Sequence, residues 1–231
     1  MTFSIAARTP DARLFGIAIA SSSPAVGARC AHARAQVGAV ATQNVTDPAL
    51  ARPILEALAR GASAAAALDA ALSATPFAAY RQVLAIGREG PPAVHSGTRA
   101  LGTSGTALGP HAAAAGNLLA RAAVPQVMLE RFAASQAAAA GSDLDFGAAL
   151  LDALRSGLAG GGEAGPIHSA ALLVVREVSW PIVDLRIDWS DADPLSELQG
   201  LWERYAPQLE SYVARALDPC AAPSFGVPGD P

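Results

Sequence analysis

The first 20 residues constrain the fold most, because they predict two adjacent β-strands. Residues 2–8 alternate with a two-residue period, which places Phe3 on one face of a strand and Thr2 on the other. The turn-forming sequence Thr-Pro-Asp follows at residues 9–11, and residues 14–20 are an apolar run of strand length. We therefore predict a β-hairpin whose first strand starts at Thr2.

The rest of the chain alternates blocks of strand and helix patterns. Further strands are predicted over residues 36–42, 81–87, 93–96, 169–176 and 182–188. Five helices are predicted. The first runs from Pro53 to Gly61 and the second from Ser63 to the residue before Pro76. The third begins near Pro125, the fourth covers residues 146–158, and the last begins at Asp193-Pro194. Residues 97–117 follow neither pattern. Such blocks favour a layered α+β domain over a doubly wound parallel sheet.

One domain is predicted. The chain has 231 residues, of which 52% are hydrophobic, and this is enough for one sizeable core. No repeat or linker divides it, so we assign residues 1–217 to a single domain. Residues 218–231 are rich in Pro and Gly, and we expect an irregular C-terminal tail there.

Composition excludes several classes of function. All 16 basic residues are arginine, they are outnumbered by 20 acidic residues, and they form no cluster that would bind nucleic acid. The N-terminus has no signal-peptide pattern, and no apolar stretch reaches the roughly 18–20 residues of a membrane helix. With only two cysteines, a disulfide framework is not expected. We predict a cytoplasmic protein that binds neither nucleic acid nor membrane.

Several segments together resemble one known family, at residues 1–5, 15–30, 36–44, 80–82, 115–117, 159–163, 169–175 and 183–186. This family is catalogued as domain of unknown function 1028, and the resemblance covers nearly the whole chain. It implies a fold similar to that of the N-terminal-nucleophile (Ntn) hydrolases, a four-layer αββα sandwich of two mainly antiparallel sheets flanked by helices. It implies no settled activity, since a fold alone does not determine function.

Thr2 is the first catalytic candidate. An initiator Met before a small residue such as Thr is normally removed, and this would give Thr2 a free α-amine. In Ntn hydrolases the first residue of the first strand supplies the nucleophile, and its own α-amine, with an ordinary pKa near ~7.7, acts as the base. Threonine-type Ntn enzymes also use a nearby lysine, which this chain lacks. The alternative is that Thr is simply a common second residue.

Polar residues at the predicted strand ends are the next candidates. Ser21 and Ser22 follow the second strand and either contact the nucleophile or substrate or form an ordinary loop. Gln43 and Asn44 close the third strand and either bind substrate or an oxyanion or cap a turn. Asn117, within an apolar run, is either an oxyanion donor or a structural amide.

A thiol and an imidazole stand two residues apart at Cys30 and His32. On a strand the two side chains would share one face, as in a Cys–His nucleophile pair or half of a metal site, although a buried free cysteine is usually a packing residue. His168 is the histidine that we expect in a cleft, the alternative being a solvated loop. The histidines show no metal-ligand spacing, so we expect no metal and no cofactor.

These residues and the resemblance lead to one hypothesis and two alternatives. The first is an Ntn-type hydrolase that cleaves a C–N bond of a small amide, ureido or peptide-like substrate. The alternatives are an inactive scaffold that binds a small metabolite, and a thiol enzyme that uses Cys30 and His32. We also expect a homodimer or higher homo-oligomer. The last predicted helix carries an apolar stripe that either forms the contact between subunits or packs on the sheet of its own chain (Leu195, Leu198, Trp202 and Tyr205).

Overall fold

The computed structural model describes residues 1–138, 141–224 and 226. Its strands are β1 Thr2–Arg8, β2 Phe15–Ser21, β3 Ala31–Arg34, β4 Gly38–Asn44, β5 Arg81–Gly87, β6 Ala93–Ser96, β7 Gly105–Leu108, β8 Ala112–Asn117, β9 Ser169–Val175 and β10 Val183–Ile187. Its helices are α1 Val26–Cys30, α2 Ala51–Ala59, α3 Ala64–Ser73, α4 Val124–Ala138, α5 Asp143–Ala159, α6 Pro194–Tyr205 and α7 Leu209–Leu217. Among the helices so described, none is both long enough and apolar enough to cross a membrane.

The strands form two antiparallel sheets. The larger has the order β10-β9-β2-β1-β8-β7 and the smaller the order β3-β4-β5-β6. Helices α4 to α7 cover the outer face of the larger sheet, and α2 and α3 cover the outer face of the smaller one. A separate core lies between the sheets. The chain is therefore a four-layer αββα sandwich, as predicted.

The alternation of β1 decides which layer each of its side chains enters. Phe3 and Ile5 belong to the core beneath α4 and α5, whereas Ala6 belongs to the core between the sheets. Because successive side chains point to opposite faces of a sheet, Thr2 and Ser4 also face the smaller sheet. Strand β1 is central, since it pairs with β2 on one side and with β8 on the other.

The structure confirms several predicted elements. Strand β1 and its hairpin with β2, strand β5 and strand β6 are all observed, and the Ser63 hydroxyl caps α3 by accepting from the Ala66 backbone N–H at 3.2 Å. Pro53 is not the first residue of its helix. A 3-10 turn at Pro48–Leu50 continues directly into this helix, which therefore begins at Ala51. Pro53 still lies in the first turn, where a backbone N–H has no helical partner.

Helix α6 is not the last helix, contrary to the prediction. After a 3-10 turn, α7 continues the chain and buries Leu209 and Val213 in the core of the larger sheet. The apolar stripe of α6 packs into the same core, and the Tyr205 hydroxyl donates to the Ile182 carbonyl at 2.7 Å. The stripe therefore packs on the sheet of its own chain, and the homo-oligomer remains a prediction. Of the predicted tail, residues 225 and 227–231 lie outside the described residues.

Leu150 and Leu158 on α5 provide a matched test of this layer assignment. Leu150 is fully buried against the larger sheet, whereas Leu158 is 37% exposed. We expect Leu150→Ala to lower the free energy of unfolding by about 2–5 kcal/mol, and Leu158→Ala by less than about 1 kcal/mol. Urea denaturation of the two variants measures the difference, and equal losses would contradict the orientation of α5.

Candidate functional site

The core between the sheets is apolar along most of its length but polar at one end. Neighbouring strands are antiparallel, so the starts of β1 and β5 lie beside the ends of β2, β4 and β8. The inward positions there carry buried polar side chains, which we call the polar cluster: Thr2, Ser4, Ser21, Gln43, Gln82 and Asn117. Buried polar groups need hydrogen-bond partners, so these side chains have to bond to one another.

Two hydroxyls meet at the start of β1. Thr2 Oγ lies 3.3 Å from Ser21 Oγ, and both hydroxyls donate to the carbonyl oxygen of Met1. Ser21 Oγ also accepts from the Ser23 backbone N–H at 3.0 Å, which fixes its orientation. Two hydroxyl donors therefore converge on one carbonyl oxygen at the start of β1.

Gln82 connects the rest of the polar cluster, and the sequence analysis did not single it out. Its Oε1 accepts from Gln43 Nε2 at 2.7 Å and from Asn117 Nδ2 at 3.1 Å. Its Nε2 donates to Ser96 Oγ at 3.0 Å and to the Gly116 carbonyl at 3.1 Å. Because Ser4 Oγ donates to Gln43 Oε1 at 2.6 Å, the network links β1 and β8 of the larger sheet to β4 and β5 of the smaller one.

Asn117 is both a structural amide and an incompletely satisfied one. It lies directly opposite Thr2 in the β1–β8 register, and side chains in such a pair share one face of the sheet. Its Nδ2 donates a hydrogen bond to Gln82, but its buried Oδ1 has no hydrogen-bond partner among the residues that the structure describes. A buried acceptor without a partner costs free energy, so Asn117 presents a site for one further donor next to Thr2.

Glu163 is a second residue that the sequence analysis missed. It follows a run of three glycines and pairs with Leu119 through an isolated bridge, which extends the line of β8. Its carboxylate accepts from the Ser22 backbone N–H at 3.1 and 3.2 Å, and the residue is only 5% exposed. Burial raises the pKa of Glu163 to about 7, although the N-terminal ammonium, the Ser22 hydrogen bonds and His168 each act to lower it.

Two other candidates border the polar cluster. Ser22 is half-buried and contributes its backbone N–H to Glu163. His168 is half-buried and stacks on Trp189 with ring centroids 4.4 Å apart. Its Nδ1 forms a hydrogen bond of 2.8 Å with the backbone carbonyl oxygen of Ser190. Its backbone N–H donates to the Ser21 carbonyl at 2.8 Å, so it supports the end of β2.

The structure does not bring Asn44 into the polar cluster. Its Nδ2 donates to the Tyr80 carbonyl at 2.6 Å and its Oδ1 accepts from the Leu101 backbone N–H at 3.1 Å. Asn44 follows Gln43 on β4, so its side chain points to the opposite face of the sheet. The alternative interpretation, an amide that caps the end of a strand, describes these contacts.

The predicted strand face shared by Cys30 and His32 is wrong. Cys30 is the last residue of α1, and β3 begins only at Ala31. The thiol is 3% exposed, and burial raises its pKa, which disfavours the reactive thiolate. Burial lowers the pKa of His32. Within the described residues, no group of three or more His, Cys, Asp or Glu side chains is placed to hold a metal ion.

Comparison with known proteins identifies the family. A model of the family of unknown function DUF1028 matches residues 2–198. The chain belongs to this family. No curated protein matches the sequence.

Two solved structures resemble this DUF1028 protein. The crystal structure of protein SPO2555 from Silicibacter pomeroyi, assigned to the same family, is 29% identical and superposes with a TM-score of 0.79, covering 91% of this chain and 94% of that one. Anbu, an ancestral β-subunit from Yersinia bercovieri, is 12% identical with a TM-score of 0.43, covering 92% of this chain and 97% of that one.

Gln82→Leu tests the network. Leucine has a similar volume but leaves the buried amide groups of Gln43 and Asn117 without their acceptor. We expect a loss of about 2–4 kcal/mol in the free energy of unfolding, measured by chemical denaturation. Ser96→Ala removes one bond at an exposed residue and serves as the control, with an expected loss below about 1 kcal/mol. Similar losses in both variants would contradict the central place of Gln82.

Glu163→Gln tests the buried carboxyl through the pH dependence of stability. Between its ordinary pKa of 4.5 and its folded pKa of about 7, the folded state keeps a proton that the unfolded state has released. The wild type therefore loses stability as pH rises through this window, by up to about 3 kcal/mol, and the variant does not. The stability of the variant relative to wild type, measured by denaturation at pH 4 to 8, should rise with pH. Glu89→Gln, on an exposed turn, is the control; a constant difference for Glu163→Gln would contradict the raised pKa.

Proposed function

We propose that this DUF1028 protein is an Ntn-type amidohydrolase that cleaves a C–N bond of a small amide, ureido or peptide-like substrate. The observation that carries the proposal is the position of Thr2. Its hydroxyl is at the buried polar end of the inter-sheet layer, beside the Ser21 hydroxyl and against the carbonyl group of the preceding residue. A hydroxyl held in a buried polar layer beside a second hydroxyl is placed as a nucleophile that begins the first strand has to be placed.

Removal of Met1 would turn Thr2 into an N-terminal nucleophile. The free α-amine takes the proton of Thr2 Oγ as the oxygen attacks the substrate carbonyl carbon. The amine then gives that proton to the leaving nitrogen, so the C–N bond breaks and an acyl ester of Thr2 remains. A water molecule, deprotonated by the same amine, hydrolyses the ester. The products are an amine or ammonia and a carboxylic acid, or a carbamic acid where the substrate is a ureido compound, and the Thr2 hydroxyl is regenerated.

Two polar groups beside Thr2 suit the transition state. The Ser21 hydroxyl already donates to a carbonyl oxygen at this place, which is the interaction that a developing oxyanion needs. The Oδ1 of Asn117, the residue that pairs with Thr2 across β1 and β8, would accept a hydrogen bond from the Thr2 amine and thereby orient it. Gln43 has both polar atoms engaged with Ser4 and Gln82, so we assign it a positioning role.

The α-amine has to act without help from a lysine, because the chain contains none. Arg8 is on the same strand but six residues away, or about 20 Å along it. There it donates to the Gly87 and Gly90 carbonyls at the other end of the inter-sheet layer. Arginine stays protonated in proteins and could not exchange the proton in any case.

Three forms of the chain test the proposal. We expect the intact mass of the purified protein to correspond to a chain that begins at Thr2. Thr2→Ser keeps a hydroxyl and a free amine and should retain turnover in a screen of amide and ureido compounds. Thr2→Ala keeps only the amine and should lose at least about 1,000-fold in kcat, because the nucleophile is missing. Retention of Met1, or unchanged turnover by Thr2→Ala, would contradict the mechanism, and retained Met1 would favour a binding scaffold.

A further inference from the structure

Met1 occupies a defined place beside the polar cluster. Its carbonyl oxygen accepts from Thr2 Oγ and Ser21 Oγ. Its side chain ends against Gly165, where a Cβ atom would lie 3.5 Å from the Met1 methyl group. The positive charge of its ammonium group lowers the pKa of Glu163, whose carboxylate lies at the Ser22 backbone N–H, next to Ser21. The residue is thus held by its carbonyl and its apolar side chain, with its ammonium on the side of Glu163.

The place of Met1 is also the place of an acyl group bound to Thr2. The nitrogen and Oγ of a threonine are attached to adjacent carbon atoms. An acyl carbon bonded to the nitrogen is therefore within reach of Oγ through a five-membered ring. An acyl group on Oγ, as in the intermediate proposed above, would occupy nearly the same volume as Met1.

We propose that the substrate is an amide of an α-amino acid with a free ammonium group, such as an aminoacyl amide or the first residue of a short peptide, and that Glu163 binds this ammonium. The acyl carbonyl of the substrate would take the position of the Met1 carbonyl, and its side chain would lie along Gly165. This inference rests on the proposed function and adds the substrate class.

Glu163 is suited to this role because no arginine side chain of the described residues forms an ion pair with its carboxylate. The carboxylate accepts hydrogen bonds from Ser22, and burial raises its pKa despite the positive charges of the N-terminal ammonium and His168. Burying an unpaired carboxylate is costly, whereas a cation brought by the ligand would compensate it. Removal of Met1 transfers the N-terminal amine to Thr2 and vacates the position of Met1, where the ammonium of a substrate would lie.

The position of Glu163 is rigid enough for recognition. Its neighbour Ala164 donates from its backbone N–H to the Leu118 carbonyl at 2.9 Å, and Ala120 donates to the Gly162 carbonyl at 3.0 Å. These bonds tie residues 162–164 to the chain that leaves β8, directly after Asn117. The carboxylate and the Thr2–Asn117 pair are therefore held by the same segment.

The test compares two substrates that differ only at the amine. Methionine 7-amido-4-methylcoumarin has a free α-ammonium, and its N-acetyl derivative does not. With a chain shown by mass to begin at Thr2, we expect kcat/KM to be at least about 100-fold higher for the free amine. Glu163→Gln should lower that value by about 10- to 100-fold, mainly through KM, and should therefore reduce the preference for the free amine over the acetylated compound. Glu163→Asp keeps the charge and should keep a preference for the free amine.

Two outcomes would overturn the inference while the hydrolase stands. Equal or faster hydrolysis of the acetylated compound would show that the ammonium is not recognised. An equal loss on both substrates in Glu163→Gln would assign Glu163 to the Thr2 amine instead.

A binding measurement separates this inference from the proposed function, because it requires no turnover. Calorimetry with the Thr2→Ala variant, in a chain that begins at the substituted residue, should detect methioninamide but not N-acetylmethioninamide. Additional Glu163→Gln should abolish the binding of methioninamide, with unchanged circular dichroism as the folding control. Failure of methioninamide to bind would overturn the inference even if amides of another class are hydrolysed.

Discussion

The cross-sheet hydrogen bonds of Gln82 are the interaction on which the polar end of the molecule depends. Two sheets packed face to face exclude water, so the inward polar side chains need hydrogen-bond partners within the protein. Gln82 satisfies Gln43 and Asn117 with one oxygen and the Gly116 backbone with its nitrogen. This leaves the Thr2 hydroxyl, the Ser21 hydroxyl and one oxygen of Asn117 facing the start of β1. The network therefore satisfies the buried polar groups at this end of the inter-sheet core, and it also fixes the side chains that surround the candidate site.

The register of β1 connects this network to the proposed chemistry. A shift of one residue would turn Phe3 toward the smaller sheet and Thr2 toward the helices, and it would disrupt both cores. The burial of Phe3 and Ile5 beneath α4 and α5 thus fixes the side on which Thr2 lies. Pairing with β8 then places Asn117 opposite Thr2, and the chain that leaves β8 brings Glu163 near the same point. Ordinary apolar packing positions all of these polar groups.

Sequence patterns predicted an element correctly where two independent local features, such as residue alternation and a turn sequence, indicate the same structure. Strand β1 combines strict alternation with a turn sequence, and its bounds were predicted correctly. Strand β8 is four alanines, a glycine and an asparagine, a composition that favours no strand, and only pairing with β1 and burial make it one. Helix α7 was missed because Pro207 resembles a helix terminator, although it lies in the 3-10 turn between two helices.

Gln82 is a polar residue at the end of a buried strand, the same signal that identified Gln43. Glu163 lies in a loop, and only tertiary contacts bury it.

Labelling with an electrophile tests the central claim, a nucleophilic Thr2 hydroxyl activated by its own amine, most directly. A β-lactone acylates an activated hydroxyl, and tandem mass spectrometry locates the acyl group. We predict acylation of Thr2 in chains that begin there, and none in chains that retain Met1. Labelling of Cys30 in preference to Thr2, or of Thr2 regardless of Met1, would contradict this mechanism.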